Sequence, residues 1–235
     1  MINNYLEWCE SAFRPNIDFR GQDNFSNRYY GSFELFFQTI NDGMEIWESC
    51  VESFYGLILL LSWIGLTREE IYTLKKSCYN ISNNEIATDI RKYTSVDCRI
   101  INLCEHCSNI ERYKNKNIPL ISSDLMFRKM ETAKSKKDDV ININTIHHAF
   151  DKFNRVKNQK CTFNTIRKSG LFVYLHTLEN QGVLNDSDST ATWSHHISIY
   201  FEKEIDNGVY LKQDYLTWRD IFCDNAVDIQ IPIKL

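Results

Sequence analysis

The sequence predicts a mainly α-helical fold with a small antiparallel β-hairpin or sheet. The 235 residues include only 8 glycines and 3 prolines, which is few for the tight turns of an all-β protein. Apolar residues recur at helical spacing along most of the chain. A β-prone run broken by the turn signal Asn83-Asn84 predicts the hairpin. Hydrophobic residues make up 43% of the chain, enough for the core of one large domain or two small ones.

Residues 1–44 are predicted to form an N-terminal helix and an extended arm, and residues 45–235 the main domain. Turn signals at Pro15, Gly21 and Gly31 interrupt the first part. Because residues 1–31 show little hydrophobic periodicity, we expect a short helix followed by an extended arm there.

The main domain is predicted to begin with a helix that is buried nearly all round. In residues 45–61 the apolar side chains crowd together, which is typical of a helix at the centre of a core. After Gly65, the hydroxyl of Thr67 can cap a second helix, and Glu70, three residues on, completes a capping box. Arg68 would then face outward.

The middle of the chain predicts a small hairpin in the run NISNNEIATDI, followed by a helix over residues 96–114. The short stretch NIPLIS reads as an extended piece. The next segment, SSDLMFRKMETAKS, predicts another helix with Ser122 or Ser123 as its cap.

The rest of the chain predicts further capped helices. The segment ININTIHHAFDKFNRV has Asn144 or Thr145 as its candidate cap, and KCTFNTIRKSGLFVYLHTLENQG has Thr162 or Asn164. The segment LKQDYLTWRDIF predicts a last helix before the extended tail VDIQIPIKL. Between the two capped helices lies the basic run NRVKNQK.

The cysteines suggest packing, with one segment that also allows a metal site. In CRIINLCEHC four side chains could supply zinc ligands: Cys98, Cys104, His106 and Cys107. The segment lacks a second paired knuckle, and its apolar residues lie at helical offsets, which favours a packed helix. The other cysteines are interpreted as small buried hydrophobes of a reducing compartment. We expect no cofactor.

The charge is distributed unevenly along the chain. Although the formal net charge is −4, residues 112–170 carry 14 basic and 5 acidic side chains, between flanks with 9 against 16 and 4 against 10. Such a basic island predicts a surface for a polyanion. For the segment AKSKKDD alone, a solvated lysine-rich loop is the simpler interpretation. The positive charge continues beyond it, through Lys152, Arg155, Lys157, Lys160, Arg167 and Lys168.

The sequence shows no membrane or export signal. No apolar run reaches the roughly 18 residues of a transmembrane helix, and the segment MINNYLEWCE has neither a basic start nor an apolar stretch. We therefore expect an intracellular protein without a membrane partner.

Two segments resemble the catalytic domain of tyrosine recombinases, the phage integrase family. The first is WIGLTREEIYTLKKSCYNI, which is similar to the family motif Gly-Leu-Arg-x-x-Glu-hydrophobic-x-x-Leu. The matching positions are Gly65, Leu66, Thr67, Glu70, Ile71 and Leu74. Thr67 stands at the arginine position of the motif, and Arg68 follows it.

The second segment, TFNTIRKSGLFVYL, is similar to the His-x-x-Arg box of the family. Arg167 lies on the arginine and Asn164 on the histidine. The resemblance further implies Lys92 as the counterpart of the catalytic lysine, and His195 or His196 as that of the later histidine or tryptophan. The nucleophilic tyrosine would fall on residues 203–205, and the nearest tyrosines are Tyr200 and Tyr210.

The resemblance implies a degenerate recombinase fold that binds double-stranded DNA without cleaving it, as integrase-like phage repressors do. A threonine cannot supply the charge of the first phosphate-binding arginine, whereas phosphate binding needs only well-placed cations. We expect a phage or prophage regulator in the bacterial cytoplasm or nucleoid, with a homo-oligomer or another recombinase-like subunit as a protein partner. The expected DNA-binding residues are Arg68, Lys75, Lys76, Arg155, Lys157, Lys160, Arg167 and Lys168.

Two alternatives remain open at this stage. The chain is an active or remnant site-specific recombinase that uses Tyr200 or Tyr210, or it is a phage accessory protein that binds a host protein through its acidic flanks. A measurement of DNA binding as a function of salt concentration separates the accessory protein from the regulator and the recombinase, which both bind DNA.

Overall fold

The computed structural model describes residues 50–113, 117–132, 140–141, 143–157, 160–201, 203 and 208–222. The predicted arm in residues 1–44, the segment AKSKKDD and the tail VDIQIPIKL lie outside these residues. The described part is mainly helical with a small antiparallel sheet, which confirms the predicted secondary-structure class. Its helices are α1 (Cys50–Trp63), α2 (Arg68–Tyr72), α3 (Cys98–Ser108), α4 (Ile143–Lys157), α5 (Phe163–Asn180), α6 (Thr190–Phe201) and α7 (Val209–Phe222).

Helix α1 is the centre of the core, as its apolar sequence predicts. Its side chains from Phe54 to Trp63 are buried with the exception of the half-buried Tyr55. It packs against α3, α4 and α5. A helix that is covered on all faces needs apolar residues on all faces, which is why α1 shows no polar stripe.

The connection from α1 to α2 follows the predicted capping chemistry. Gly65 has a φ of 101°, a conformation that residues with a Cβ rarely adopt, so a glycine is required at this turn. Thr67 then caps α2: its hydroxyl accepts a hydrogen bond from the Glu70 amide at 3.2 Å, and the Thr67 amide donates to the Glu70 carboxylate at 2.8 Å. The predicted capping box is confirmed.

The predicted hairpin is part of a three-stranded antiparallel sheet. It consists of β1 (Tyr79–Asn80), β2 (Glu85–Ala87) and β3 (Lys92–Tyr93), in that order, and Ile86 lies opposite both Tyr79 and Tyr93. Asn84 has a φ of 52°, which fits the turn signal of Asn83-Asn84. A second pair of strands, β4 (Arg112–Tyr113) and β5 (Ile118–Pro119), is antiparallel too.

Of two helices predicted for the middle of the chain, one is present but shorter than expected and the other is wrong. The helix expected over 96–114 ends at Ser108, where Asn109 caps it, and the chain then enters β4. No helix starts at Ser122 or Ser123 in the described residues up to 132. Leu125 and Met126 instead lie alongside the chain after α2, and the Met126 amide donates to the carbonyl of Leu74. This long-range pairing replaces the local helical bonds that the sequence suggests.

The helices predicted at α4, α5 and α7 are confirmed, with one error in a cap, whereas α6 has no counterpart among the predicted elements. Thr162 caps α5 by accepting a hydrogen bond from the Thr165 amide at 3.2 Å. Helix α4 already begins at Ile143, so neither Asn144 nor Thr145 is its cap. Gly170 of α5 lies directly against the carbonyl of Trp63 at the end of α1. The absence of a side chain at Gly170 therefore allows these two central helices to approach closely.

Candidate functional site

The two arginines that the resemblance pairs lie at one aromatic ring. Arg68 begins α2 and Arg167 lies in the first turns of α5, about a hundred residues later. The guanidinium carbon of Arg68 lies 4.8 Å from the centre of the Phe163 ring, and that of Arg167 lies 5.6 Å from the same centre. The fold thus places both cations beside Phe163.

A cleft opens beside this ring, between α4 and the start of α5. Its volume is about 450 Å³, and Arg68, Lys160 and Phe163 are among its lining residues. Asn154 of α4 holds the loop that carries Lys160: its side chain donates to the Cys161 carbonyl at 2.9 Å and accepts from the Cys161 amide at 2.7 Å. The Asn154 side chain therefore fixes the backbone of Cys161, the residue that follows Lys160.

The donors of these two arginines are only partly satisfied. The Nε atoms of Arg68 and Arg167 are buried and have no hydrogen-bond partner among the residues that the structure describes. Arg167 donates from one terminal nitrogen to the carbonyl of Gly65 at 3.0 Å, and Phe201 covers its guanidinium at 5.1 Å. Unsatisfied guanidinium donors are suited to an anionic acceptor such as a phosphate oxygen.

The charge of Arg167 is held in an unfavourable place. Burial lowers the pKa of Arg167, and the nearby positive charge of Arg91 lowers it further, whereas Tyr200, Tyr93 and Glu70 act in the opposite direction. An arginine remains protonated under these conditions because its pKa starts far above neutrality. A bound anion would relieve the cost of burying this charge.

Next to the cleft lies a buried ionic network, here called the junction, which comprises Trp63, Gly65, Glu70, Arg91 and Tyr200. Arg91 donates to both carboxylate oxygens of Glu70, at 2.8 and 2.9 Å. It also donates to the carbonyls of Gly65 at 2.6 Å and of Tyr200 at 3.2 Å. The side chain of Arg91 is 7% exposed and that of Glu70 is fully buried. The junction joins α2, α6, the end of α1 and the turn before β3.

Glu70 is ionised despite its burial. Burial raises its pKa, but hydrogen bonds from Arg91, Thr67 and Thr88, together with the charge of Arg91, outweigh that effect, so the pKa of Glu70 lies below its usual range. The hydroxyl of Tyr93 also donates to this carboxylate, at 3.2 and 3.3 Å. The predicted capping residue is thus the anion of the junction as well.

The sequence analysis did not identify Arg91. The segment DIRKY offered Lys92 as a catalytic candidate, but Lys92 is 55% exposed and pairs with Glu85 across the sheet at 2.8 Å. Its neighbour Arg91 points to the other side and reaches Glu70 and the Gly65 carbonyl. The alternation of side chains in an extended strand could have suggested this choice, once Glu70 was recognised as buried.

Tyr200 lies at the junction, but its hydroxyl is not available to a substrate. The side chain is buried, and its hydroxyl donates to the Trp63 carbonyl at 2.7 Å. Burial raises the pKa of this phenol well above its ordinary value, and the charges of Arg167 and Arg91 only partly oppose the rise. Tyr210, at the start of α7, is 77% exposed. Of the two nucleophile candidates, only Tyr210 is accessible to solvent.

The two histidines form their own contact on α6. The rings of His195 and His196 lie 5.5 Å apart, edge to face. Burial lowers the pKa of His196, and the neighbouring His195 lowers it further. His195 is exposed. The contacts described for Arg68 and Arg167 include neither histidine, so the structure does not join these rings to the two arginines.

The remaining cations of the predicted DNA surface differ in their surroundings. Lys75 pairs with Asp89 at 2.7 Å, and Lys168 pairs with Asp214, so their charges are compensated. Lys76 is half-buried, and burial lowers its pKa. Arg155 is exposed on α4. Lys157 ends α4, and its side chain lies outside the described part of the chain.

The proposed zinc ligands lie on a packed helix. Cys104 and Cys107 are buried in the core, while Cys98 is exposed. Hydrogen bonding to Cys78 and burial raise the pKa of Cys104, which disfavours the thiolate that zinc requires. His106 contacts the hydroxyl of Ser53 at 3.3 Å. Within the described residues, no group of three or more His, Cys, Asp or Glu side chains could hold a metal ion.

Comparisons with known proteins add no family to this description. No family model matches the chain, and no curated protein matches it. In the described residues, none of the helices combines the length and the apolar content needed to cross a membrane.

Proposed function

We propose that the chain binds double-stranded DNA through the cations at the start of α5 and does not cleave it. The observation that carries the proposal is the meeting of Arg68 and Arg167 at Phe163, each with a buried Nε that lacks a partner among the described residues. Two guanidinium groups beside the same ring are suited to phosphate oxygens of a nucleic-acid backbone. The tyrosine-recombinase-like fold and a role as a phage or prophage regulator belong to this proposal, on the strength of the two motifs.

Further cations extend the surface on either side of this pair. Lys160 lines the same cleft, and Arg155 is exposed on α4, which forms the other wall. Their flexible side chains can follow the phosphates of a duplex by charge alone. Lys75 and Lys168 contribute less, because Asp89 and Asp214 neutralise them.

The positions of the two candidate tyrosines support binding without cleavage. The hydroxyl of Tyr200, next to Arg167, is directed at the Trp63 carbonyl and is buried. An in-line attack on a phosphate requires an accessible hydroxyl and a proton acceptor. Tyr210 is accessible but is not among the described contacts of either arginine.

The proposal is tested by fluorescence anisotropy with a labelled duplex of about 30 base pairs, starting near 50 mM salt, the range in which phosphate contacts dominate affinity. We expect Arg68→Gln to weaken binding about tenfold and to reduce the salt slope by about 1. The matched control is Lys75→Gln, which removes one positive charge that is already paired with Asp89. No measurable binding, or equal losses in both variants, would overturn the proposal.

The non-cleaving part of the proposal has its own test. Incubation with a nicked suicide duplex should yield no covalent adduct on denaturing gels. An adduct that disappears in Tyr210→Phe would overturn this part and assign the reaction to Tyr210. Loss of an adduct in Tyr200→Phe would show instead that α6 moves to release the buried hydroxyl.

A further inference from the structure

We propose that the cleft between α4 and α5 binds a nucleoside monophosphate, with the phosphate at Arg68 and Lys160 and the base over the apolar floor. Where this nucleotide is an unpaired unit of a DNA strand, the inference rests on the proposed function. A free nucleotide has the same chemistry, and the experiment below distinguishes the two sources.

The size and the walls of the cleft fit this class of ligand. A volume of about 450 Å³ lies in the range of small-molecule sites. A cleft of this size is too small to hold a duplex. The floor is apolar and buried: it is formed by Ile146, Phe150, Cys161 and Phe163. Phe150 and Phe163 meet edge to face with centres 6.1 Å apart. Such a floor accepts a flat, weakly polar ring.

The charges at the cleft select a single phosphate group. Arg68 and Lys160 supply two positive charges, and Asp151 supplies one negative charge on the same cleft. The buried Nε of Arg68 has no acceptor within the described ranges, so a phosphate oxygen would satisfy an otherwise unpaired donor.

The polar groups of the cleft can recognise the edge of a base. The carboxylate of Asp151 is exposed, and its only described pairing is with His148, at 3.9 Å. It is free to accept a hydrogen bond from an exocyclic amino group, as acidic side chains do with cytosine. His147 and Asn154 also line the cleft and offer further donors. These groups favour a base with an amino group over thymine.

Isothermal titration calorimetry of the whole chain with deoxyadenosine monophosphate tests the inference. The comparison ligands are inorganic phosphate, deoxyadenosine and thymidine monophosphate. We expect the adenine nucleotide to bind at least tenfold more tightly than phosphate or deoxyadenosine alone. Equal affinity for the nucleotide and inorganic phosphate would overturn the inference, because the floor would then contribute nothing.

Three variants locate the binding. Arg68→Gln should weaken nucleotide binding about tenfold and leave deoxyadenosine binding unchanged. Asp151→Asn should strengthen binding of inorganic phosphate two- to threefold, because it removes the negative charge of the cleft. Arg155→Gln is the matched control, because Arg155 lies on α4, as Asp151 does, but outside the cleft. It should weaken duplex binding and leave nucleotide binding unchanged. If Arg155→Gln and Arg68→Gln reduce nucleotide binding equally, the site is not the cleft.

A duplex with one unpaired adenosine separates the sources and the two proposals. If it binds more than tenfold tighter than the perfect duplex and is displaced by the free nucleotide, the cleft holds a nucleotide of the strand. If only the free nucleotide binds, the cleft site stands and DNA binding fails. If the perfect duplex binds and neither nucleotide form does, DNA binding stands and the cleft inference fails.

Discussion

Arg91 and Arg68 lie on neighbouring elements, but their surroundings differ in kind. Arg91 is buried in the junction, where two oxygens of Glu70 and the carbonyls of Gly65 and Tyr200 accept its hydrogen bonds. Arg68 lines the open cleft, and its buried Nε has no partner in the described part of the chain. A buried guanidinium whose three nitrogens all have acceptors contributes to stability, whereas the guanidinium of Arg68 borders an open cleft and has donor capacity left for a ligand.

Arg167 belongs partly to each region. One terminal nitrogen donates to Gly65, as Arg91 does, while its Nε is unsatisfied and its ring contact is shared with Arg68. The carbonyls at the end of a helix carry partial negative charge, so two arginines at Gly65 also stabilise the end of α1. Substitution of Arg167 would therefore change both the free energy of unfolding and the affinity for DNA. Arg91 and Arg68 separate the two effects better.

The largest expected effect is that of Arg91→Met. It leaves the buried Glu70 carboxylate without its counter-ion, and loss of one partner of a buried pair costs about 3–5 kcal/mol. We expect the free energy of unfolding in urea to fall by that amount. The double variant Glu70→Met, Arg91→Met is the control, because it removes both charges. A single variant as stable as the wild type would show that the junction is not a buried ion pair.

The next effect is that of Gly170→Ala. A Cβ at Gly170 would overlap the Trp63 carbonyl and the Tyr200 hydroxyl, so the helices would have to separate, at a cost of about 3 kcal/mol. Gly182→Ala is the matched control: a Cβ there meets open space, and only its φ of 69° is unfavourable, which costs about 1 kcal/mol. Equal losses in urea unfolding would contradict the close approach of α1 and α5.

Tyr200→Phe has a smaller effect. It removes the hydrogen bond that the Tyr200 hydroxyl donates to the buried Trp63 carbonyl at 2.7 Å, and loss of a typical hydrogen bond costs about 0.5–1.5 kcal/mol. Thermal unfolding should show the loss, while duplex DNA binding should remain unchanged. Tyr210→Phe, at an exposed position, should leave the melting temperature unchanged. A loss of DNA affinity in Tyr200→Phe would place its hydroxyl at the binding surface.

The junction also predicts a pH dependence. The pKa of Glu70 is lower in the folded chain than its ordinary value of 4.5, so the unfolded chain binds the proton first on acidification. The stabilisation by Glu70 is present above pH 4.5 and is lost as the pH falls through the lowered folded value, with a slope of at most about 1.4 kcal/mol per pH unit. Glu70→Gln should show a shallower decline below pH 4.5. Parallel declines in urea unfolding would contradict this role.

The smallest effect on stability is expected for Arg68→Gln. Its guanidinium has a ring contact and an unsatisfied Nε, so its removal should change the free energy of unfolding by less than about 0.5 kcal/mol. The same variant should lose DNA and nucleotide affinity, which makes it the inverse of Arg91→Met. A large loss of stability in Arg68→Gln would place Arg68 with the structural arginines.

Local chemistry made much of the fold predictable. The hydroxyls of Thr67 and Thr162 cap the helices that the sequence assigned to them, because a cap needs only residues within one turn. Helix α1 was recognisable as central because it is apolar on all faces. The irregular path of residues 121–132 was not predictable, since residues 124–126 exchange backbone hydrogen bonds with Leu74 and Lys76, about fifty positions earlier in the chain.

The candidate site was predictable only in part. Arg68, Lys160 and Arg167 were singled out by motif and charge, and they lie around Phe163 and its cleft. Arg91 was missed because its partner Glu70 had a sufficient local explanation as a capping residue. Lys75, Lys92 and Lys168 have acidic partners that the sequence separates from them by 14, 7 and 46 positions. Only the last of these separations exceeds the 18 residues of α5.

The sequence by itself determined most of the helices, the caps Thr67 and Thr162, the central α1 and the basic island in residues 112–170. Periodicity and capping act over a few residues, and charge is additive, so these properties can be read without a fold. The tertiary structure alone decided which arginine is buried against Glu70 and which lines the cleft. It did so because burial and unsatisfied donors depend on groups that the chain brings together over roughly a hundred residues, from Gly65 to Arg167.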